Sequence, residues 1–126
     1  IKFLKNKKSQ IKIIKILDRD KFLKFLTEID AMIGNSSSGI IESPSFKFPV
    51  INIGTRQKMR PQSINIVNSS YRTQDIEKKI NFIFNNKNFR NNLNKTKNIY
   101  FQKNSSKKIV KILKTLTKNA DLFKKF

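Results

Sequence analysis

The residues best suited to chemistry lie in one gapless block, Asp30 to Gln57, which reads DAMIGNSSSGIIESPSFKFPVINIGTRQ. Three consecutive hydroxyl side chains, Ser36, Ser37 and Ser38, stand between Gly34 and Gly39. They follow Ala31-Met32-Ile33, a short apolar run that suits a buried strand, and precede Ile40 to Phe46, which suits a short helix. A small-residue turn between strand and helix offers unpaired N–H groups, a partial positive charge and hydroxyl donors, all of which suit a phosphate. Glu42 lies near the start of that helix, where a carboxylate can accept both hydroxyls of a ribose diol, as acidic residues do in dinucleotide sites. Arg56 follows the strand Val50-Ile51-Asn52-Ile53 and the stop at Gly54, within the polar, basic loop Thr55 to Ser63. A guanidinium there can pair a phosphate. Taken singly, each residue also fits a plainer role: an N-cap serine, a surface glutamate, a surface arginine. They make a site only if the serine turn and the Arg56 loop share one sheet edge.

The elements that must position them follow from periodicity. Ile11-Lys12-Ile13-Ile14-Lys15-Ile16-Leu17 alternates well enough to predict a strand, and Asp18-Arg19-Asp20 breaks it. Lys21 to Ile29 carries Phe22, Phe25, Leu26 and Ile29 at helical spacing. Beyond the central block, Ile64-Asn65-Ile66-Val67 predicts another strand. Thr73 is a candidate cap for a helix over 74–85, with Asp75 and Glu77 near its positive end and Ile76, Ile80, Ile83 and Phe84 as its apolar stripe. The Asn/Lys-rich stretch 85–104 reads as a short helix plus a loop. Ser105 or Ser106 caps a last helix with Ile109, Ile112, Leu113 and Leu116 on one side. Short apolar strands alternating with amphipathic helices predict an α/β fold, a Rossmann-like parallel sheet with flanking helices. In such sheets ligands bind beyond the carboxyl ends of the strands.

Composition sets outer bounds. The chain has 126 residues, which suits one domain. With no cysteine and no histidine, it cannot supply a thiolate metal site, a disulfide or a histidine base. We expect no metal and no cofactor. The first residues form no signal peptide, and no apolar run approaches the roughly 20 residues of a membrane span. A cytoplasmic location is the default expectation, and an opening without methionine suits a start inside a longer protein. The formal net charge of +20 invites a nucleic-acid or membrane-surface reading. However, Lys, Asn, Ile and Phe rise together, as A/T-rich codons dictate, and the lysines are spread along the whole chain instead of forming a block. Base composition is therefore the preferred explanation, with no specific nucleic-acid partner and no membrane.

Gly34-Asn35-Ser36-Ser37-Ser38-Gly39-Ile40-Ile41-Glu42, Pro44-Ser45-Phe46, Pro49-Val50-Ile51-Asn52-Ile53-Gly54 and Arg56-Gln57 together closely resemble the hydrolysing UDP-N-acetylglucosamine 2-epimerases. The stretch from Asn104-Ser105-Ser106 to Leu113 also resembles that family's last helix. The resemblance implies the carboxyl-terminal domain of a two-domain glycosyltransferase-B-type fold. On it, residues 1–104 form a UDP-binding Rossmann-like domain, incomplete at its amino terminus, and 105–126 a carboxyl-terminal helix. It implies that Ser36 and Ser37 hold the diphosphate, Glu42 the ribose, and Arg56 the nucleotide. Phe22 occupies a spot where members place an aromatic near uracil, although its place in a helical stripe favours the core. Met59 stands where members often have glycine, and Tyr100 to Asn104 replaces a glycine-containing stretch.

The implied reaction removes UDP by C–O cleavage through a glycal, inverts C2 and adds water to give N-acetylmannosamine. The carboxylates that move the C2 proton come mainly from an amino-terminal domain that this sequence does not contain. The expected partners are a UDP-sugar substrate, the missing amino-terminal domain or a partner chain, and a second copy in a homodimer. Two rivals stand beside this reading: the donor-binding domain of a UDP-sugar glycosyltransferase, and a basic nucleic-acid-binding module.

Overall fold

A computed structural model describes residues 11–115. Its centre is β2 (Val50–Ile53), flanked by β1 (Met32–Gly34) and β3 (Ile66–Ser69) in a 3-stranded sheet of order β1-β2-β3. Both pairings are parallel, with Met32 opposite Val50, Gly34 opposite Asn52, Val50 opposite Ile66 and Ile53 opposite Ser69. This is the Rossmann-like α/β arrangement expected from the alternation of short strands and helices. β2 is buried along Val50, Ile51 and Asn52, as a central parallel strand covered on both faces must be.

Helices cover the sheet. α1 (Arg19–Leu26) is opened by Asp18, whose carboxylate accepts the Lys21 N–H at 2.9 Å. It buries Leu26 with Phe48 and Val50, and Phe22, Leu23, Ile29, Met32, Phe46 and Ile66 pack around that cluster. α2 (Ser38–Ile41) and α3 (Ser43–Phe46) follow β1. Gly39 permits the close approach of α2 to β2, because a Cβ there would lie 3.0 Å from Val50 Cγ1. α4 (Thr73–Asn85) packs on β2 and β3 and buries Ile83, and α5 (Lys87–Leu93) follows it. α6 (Ser105–Thr115) buries none of its residues.

Several expectations shift. Residues 11–17 form no strand, and Ile13 and Ile16 are exposed. A strand needs a ladder partner, and the described sheet pairs β1 with β2 alone. The third strand begins at Ile66 instead of Ile64 because residues 64–65 form a turn, closed by the Ile66 N–H on the Ser63 carbonyl at 3.2 Å, and the Asn65 side chain anchors it. The Asn65 amide, wholly buried, donates to Ser43 Oγ at 2.8 Å and to the Phe48 carbonyl at 2.9 Å. Thr73 is the first residue of α4 and not its cap. Arg72 holds the cap position, and Asp75 reaches back to the Ser70 N–H at 2.7 Å and the Ser69 hydroxyl at 3.2 Å. In α4, Phe84 is exposed while Ile76 and Ile80 are half-buried. Ser105 opens α6 as its first residue, the first intrahelical bond running from the Lys108 N–H to the Asn104 carbonyl. Leu116, expected on its apolar side, lies outside the described residues.

Two outcomes test this account. Asn65→Ala strands the Phe48 carbonyl and takes a partner from Ser43 in a water-free interior. It should lower stability by about 2–3 kcal/mol, read from urea unfolding. The Asp75 carboxyl is held below its ordinary value of 3.8, first by the Ser70 N–H that it accepts. A group depressed in the folded state stabilises above its unfolded pKa, and that contribution is lost as pH falls through the folded value. The stability gap between the native sequence and Asp75→Ala should therefore be open at neutral pH and close below about pH 3.8. Urea midpoints measured across that range check it.

Candidate functional site

Because the strands are parallel and in register, their carboxyl ends form one edge. The serine turn leaves it after Gly34, the loop 55–60 after Gly54, and the turn 70–72 after Ser69. The serine turn and the Arg56 loop thus share an edge, and one bond joins them. The Gln57 side-chain amide, almost fully buried, donates to the Asn35 carbonyl at 2.9 Å. On its other flank the loop meets Tyr71, whose hydroxyl accepts the Thr55 N–H at 3.3 Å. Hydrogen bonding by the Thr55 side chain first, and by its N–H second, holds the Tyr71 phenol below its usual value of 10.0. Gly54, at φ 76°, lies against the Tyr71 ring, where any Cβ would collide.

Within the serine turn, Ser36 is exposed and its Oγ accepts the Ser38 N–H at 3.3 Å. Ser37 is half-buried at the N-cap of α2, and its hydroxyl makes no capping bond. The single short helix expected over 40–46 is divided. α2 and α3 have 4 residues each, and Glu42 is both the C-cap of the first and the N-cap of the second. Glu42 therefore sits at the break, ending α2 and preceding α3. So short an α2 has a weak dipole, which leaves hydroxyls and individual N–H groups as the directional donors.

Glu42 has the most distinctive surroundings of the expected site residues. Its side chain is 20% exposed, and Oε1 accepts from Arg19 Nη1 at 3.1 Å. Oε2 is buried and has no hydrogen-bond partner. A buried carboxylate oxygen without a donor is costly and calls for one. Arg56 is exposed, as are Lys58 and Arg60 in the same loop, and Arg56 has no side-chain partner among the described residues. Phe22 is half-buried against the Leu26–Phe48–Val50 cluster.

The edge also carries residues that sequence reasoning did not assign to the site. Arg19 reaches Glu42 across 23 positions, and no local pattern announces that pair. Gln57 had been visible only as part of a motif. Asn52 and Asn68 join side chains across the carboxyl ends of β2 and β3 at 2.8 Å, and Asn68 continues to Gln62 at 2.8 Å. Beside them a cleft of about 360 Å³ is lined by Gly54, Thr55, Lys58, Gln62 and Asn68. Among the described residues no group of three or more His, Cys, Asp or Glu could hold a metal ion, and no helix is long and apolar enough to cross a membrane.

Comparison with known proteins identifies the family. The family model described as UDP-N-acetylglucosamine 2-epimerase matches residues 1–114. The chain is 35% identical over 119 residues to the UDP-N,N'-diacetylbacillosamine 2-epimerase (hydrolyzing) of Legionella pneumophila, covering 91% of this chain and 29% of that protein. It is 52% identical over 59 residues to the GDP/UDP-N,N'-diacetylbacillosamine 2-epimerase (hydrolyzing) of Campylobacter jejuni, covering 47% of this chain and 15% of that protein. It is 42% identical over 55 residues to the UDP-N-acetylglucosamine 2-epimerase of Neisseria meningitidis, covering 44% of this chain and 15% of that protein. The chain thus spans less than a third of the length of these relatives. With a parallel sheet whose carboxyl edge gathers the serine turn and the Arg56 loop, and a family match across nearly all of its length, the chain belongs to the UDP-N-acetylglucosamine 2-epimerase family.

Proposed function

We propose that this chain is the nucleotide-binding half of a hydrolysing 2-epimerase acting on a UDP-linked N-acetylated amino sugar. The observation that carries the reading is Glu42. It is a largely buried carboxylate at the end of the first helix after the serine turn, with one oxygen held by Arg19 and the other lacking a donor. A ribose hydroxyl is a donor of the right kind. Ser36, Ser37 and nearby N–H groups take the diphosphate, and Arg56 adds a cation from the neighbouring loop. Phe22, half-buried on α1, is the aromatic on the uracil side.

The reaction in this reading breaks the anomeric C–O bond to release UDP, gives a glycal by loss of the C2 proton, and adds water after the proton returns on the opposite face. UDP leaves as an anion, and the donors of this half stabilise it. The groups that move the proton belong to the amino-terminal domain of a longer protein, and this chain alone turns over no substrate. The names of the relatives support the hydrolysing type and a UDP-sugar substrate. Residues 1–104 for nucleotide binding and a terminal unit 105–126, helical over Ser105–Thr115, complete the assignment, with residues 1–10 and 116–126 outside the described residues, a cytoplasmic location and a homodimer as the assembly.

Calorimetry with UDP and with its 2′,3′-dideoxy analogue tests the ribose assignment. Glu42→Ala should weaken UDP by about 1.5–3 kcal/mol and leave the analogue almost unchanged. Equal losses for both ligands would remove Glu42 from the ribose. A second measurement separates site chemistry from bulk charge. At net charge +20 the chain should retain a random DNA duplex at low salt and release it steeply between roughly 50 and 200 mM. UDP binding should change far less over that range. Arg56→Ala should damage UDP binding and leave duplex retention alone, being one of 28 Lys and Arg. Duplex binding that survives high salt, with UDP binding absent throughout, would hand the function to the basic-module reading.

A further inference from the structure

One distant segment, residues 97–100, is bonded to the neighbourhoods of both Glu42 and the Arg56 loop. The break between α2 and α3 frees a carbonyl. In a continuous helix the Ser45 N–H would reach Ile41, but it donates to the Glu42 carbonyl at 3.0 Å. Asn98 takes over the vacated acceptor. Its Nδ2 donates to the Ile41 carbonyl at 2.9 Å and to Ser45 Oγ at 2.6 Å, so one amide spans the residues on either side of Glu42. The amide orientation is fixed from behind, because Asn98 Oδ1 accepts the Tyr100 N–H at 2.9 Å and only an oxygen can do so. Two more bonds tie the same segment to the far end of the Arg56 loop. The Tyr100 hydroxyl donates to the Pro61 carbonyl at 2.8 Å, and Ser63 Oγ donates to the Lys97 carbonyl at 2.9 Å.

We propose that Asn98 is a positioning residue for Glu42, fixing the helix break so that the carboxylate meets a nucleoside diol. This rests on the ribose reading of Glu42 given above. Asn98 touches no ligand; it acts by holding the backbone from which Glu42 projects. Pro44 forbids one continuous helix, but a break is a soft point, since the freed carbonyl can turn to water and let the two turns shift against each other. With both amide hydrogens donating and the oxygen accepting, the break has one geometry. Glu42 is further restrained by Arg19, but that pair is mostly exposed on the arginine side, at 71%, and sets little on its own.

The test compares UDP and 2′,3′-dideoxy-UDP by calorimetry on the native sequence, Glu42→Ala, Asn98→Ala and Asn98→Gln, with thermal unfolding as the folding check. Asn98→Ala should weaken UDP about 5- to 20-fold while the dideoxy ligand changes less than about twofold, so that the preference for the diol falls toward that of Glu42→Ala. Asn98→Gln keeps the donors on a longer stem and should retain part of the preference. Should the alanine variant not fold, the glutamine variant decides: a diol preference equal to that of the native sequence overturns the proposal, and a reduced one supports it. Equal weakening of both ligands in Asn98→Ala makes the residue merely structural and overturns it. A native sequence that binds UDP without preferring the diol, with Glu42→Ala neutral, overturns the ribose reading and the proposal together. A native preference lost in Glu42→Ala but intact in Asn98→Ala overturns the proposal alone.

Discussion

The Gln57 amide bonded to the Asn35 carbonyl is the contact on which the candidate site most depends. Parallel pairing in register brings the ends of β1 and β2 to one edge, but it does not fix the loops that leave them. Gln57 does, by crossing from the Arg56 loop to the first residue after β1. It is only 3% exposed, so water competes little with the bond. The loop is held from its other side by the Thr55 N–H on Tyr71, and Gly54 is the residue that lets Tyr71 come so close. A cation on a freely moving loop would add charge without direction. Held at both sides, Arg56 has a restricted field of approach.

The second constraint is the break at Glu42. A continuous helix over 38–46 would have a stronger dipole at the serine turn and would carry its glutamate on an ordinary face. Dividing it weakens the dipole but turns Glu42 into a junction residue, four-fifths buried. The break is stabilised by partners from far along the chain. Asn65 donates to Ser43 Oγ, which in turn donates to the Gly39 carbonyl at 2.6 Å, and Asn98 serves Ile41 and Ser45. Asparagine, abundant here for reasons of base composition, is thus used structurally at several buried points. Its short amide can donate and accept at once, which suits carbonyls left over by interrupted helices.

How much of this was legible in the sequence follows from the range of each interaction. β2 was visible at its true limits, because Val50-Ile51-Asn52-Ile53 is bounded by Pro49 and Gly54, both strong local signals. The shared edge was visible because a parallel sheet allows little else. The strand at 11–17 was misread because alternation reports a preference for extended backbone and says nothing about a ladder partner. β3 was displaced by two residues because 64–65 form a turn that apolar alternation hides, and the buried bonds that anchor it from the Asn65 side chain run to Ser43 and Phe48, 22 and 17 positions away. The Arg19–Glu42 pair was invisible because its partners lie 23 positions apart. The helix break had a local sign in Pro44, which lies in the first turn of α3 and has no N–H for the Ile40 carbonyl, but the distant bonds that fix its geometry had none.

The charge of the chain must be weighed against this geometry. Lys21 with Asp18 and Arg19 with Glu42 are the ion pairs among the described residues, against 28 Lys and Arg in the sequence. Most cations are therefore solvated and contribute a diffuse field that any polyanion feels. Such a field raises encounter rates and is screened over about 8–10 Å at ordinary salt, so it cannot choose a uridine nucleotide over a stretch of duplex. Choice requires donors and acceptors fixed to within a fraction of an ångström. The structure holds a largely buried glutamate, hydroxyls at a tight turn and a buried amide joining two loops. On the proposed reading, the choice of nucleotide lies in these groups together with Arg56, and the rest of the basic excess acts on how often ligands arrive.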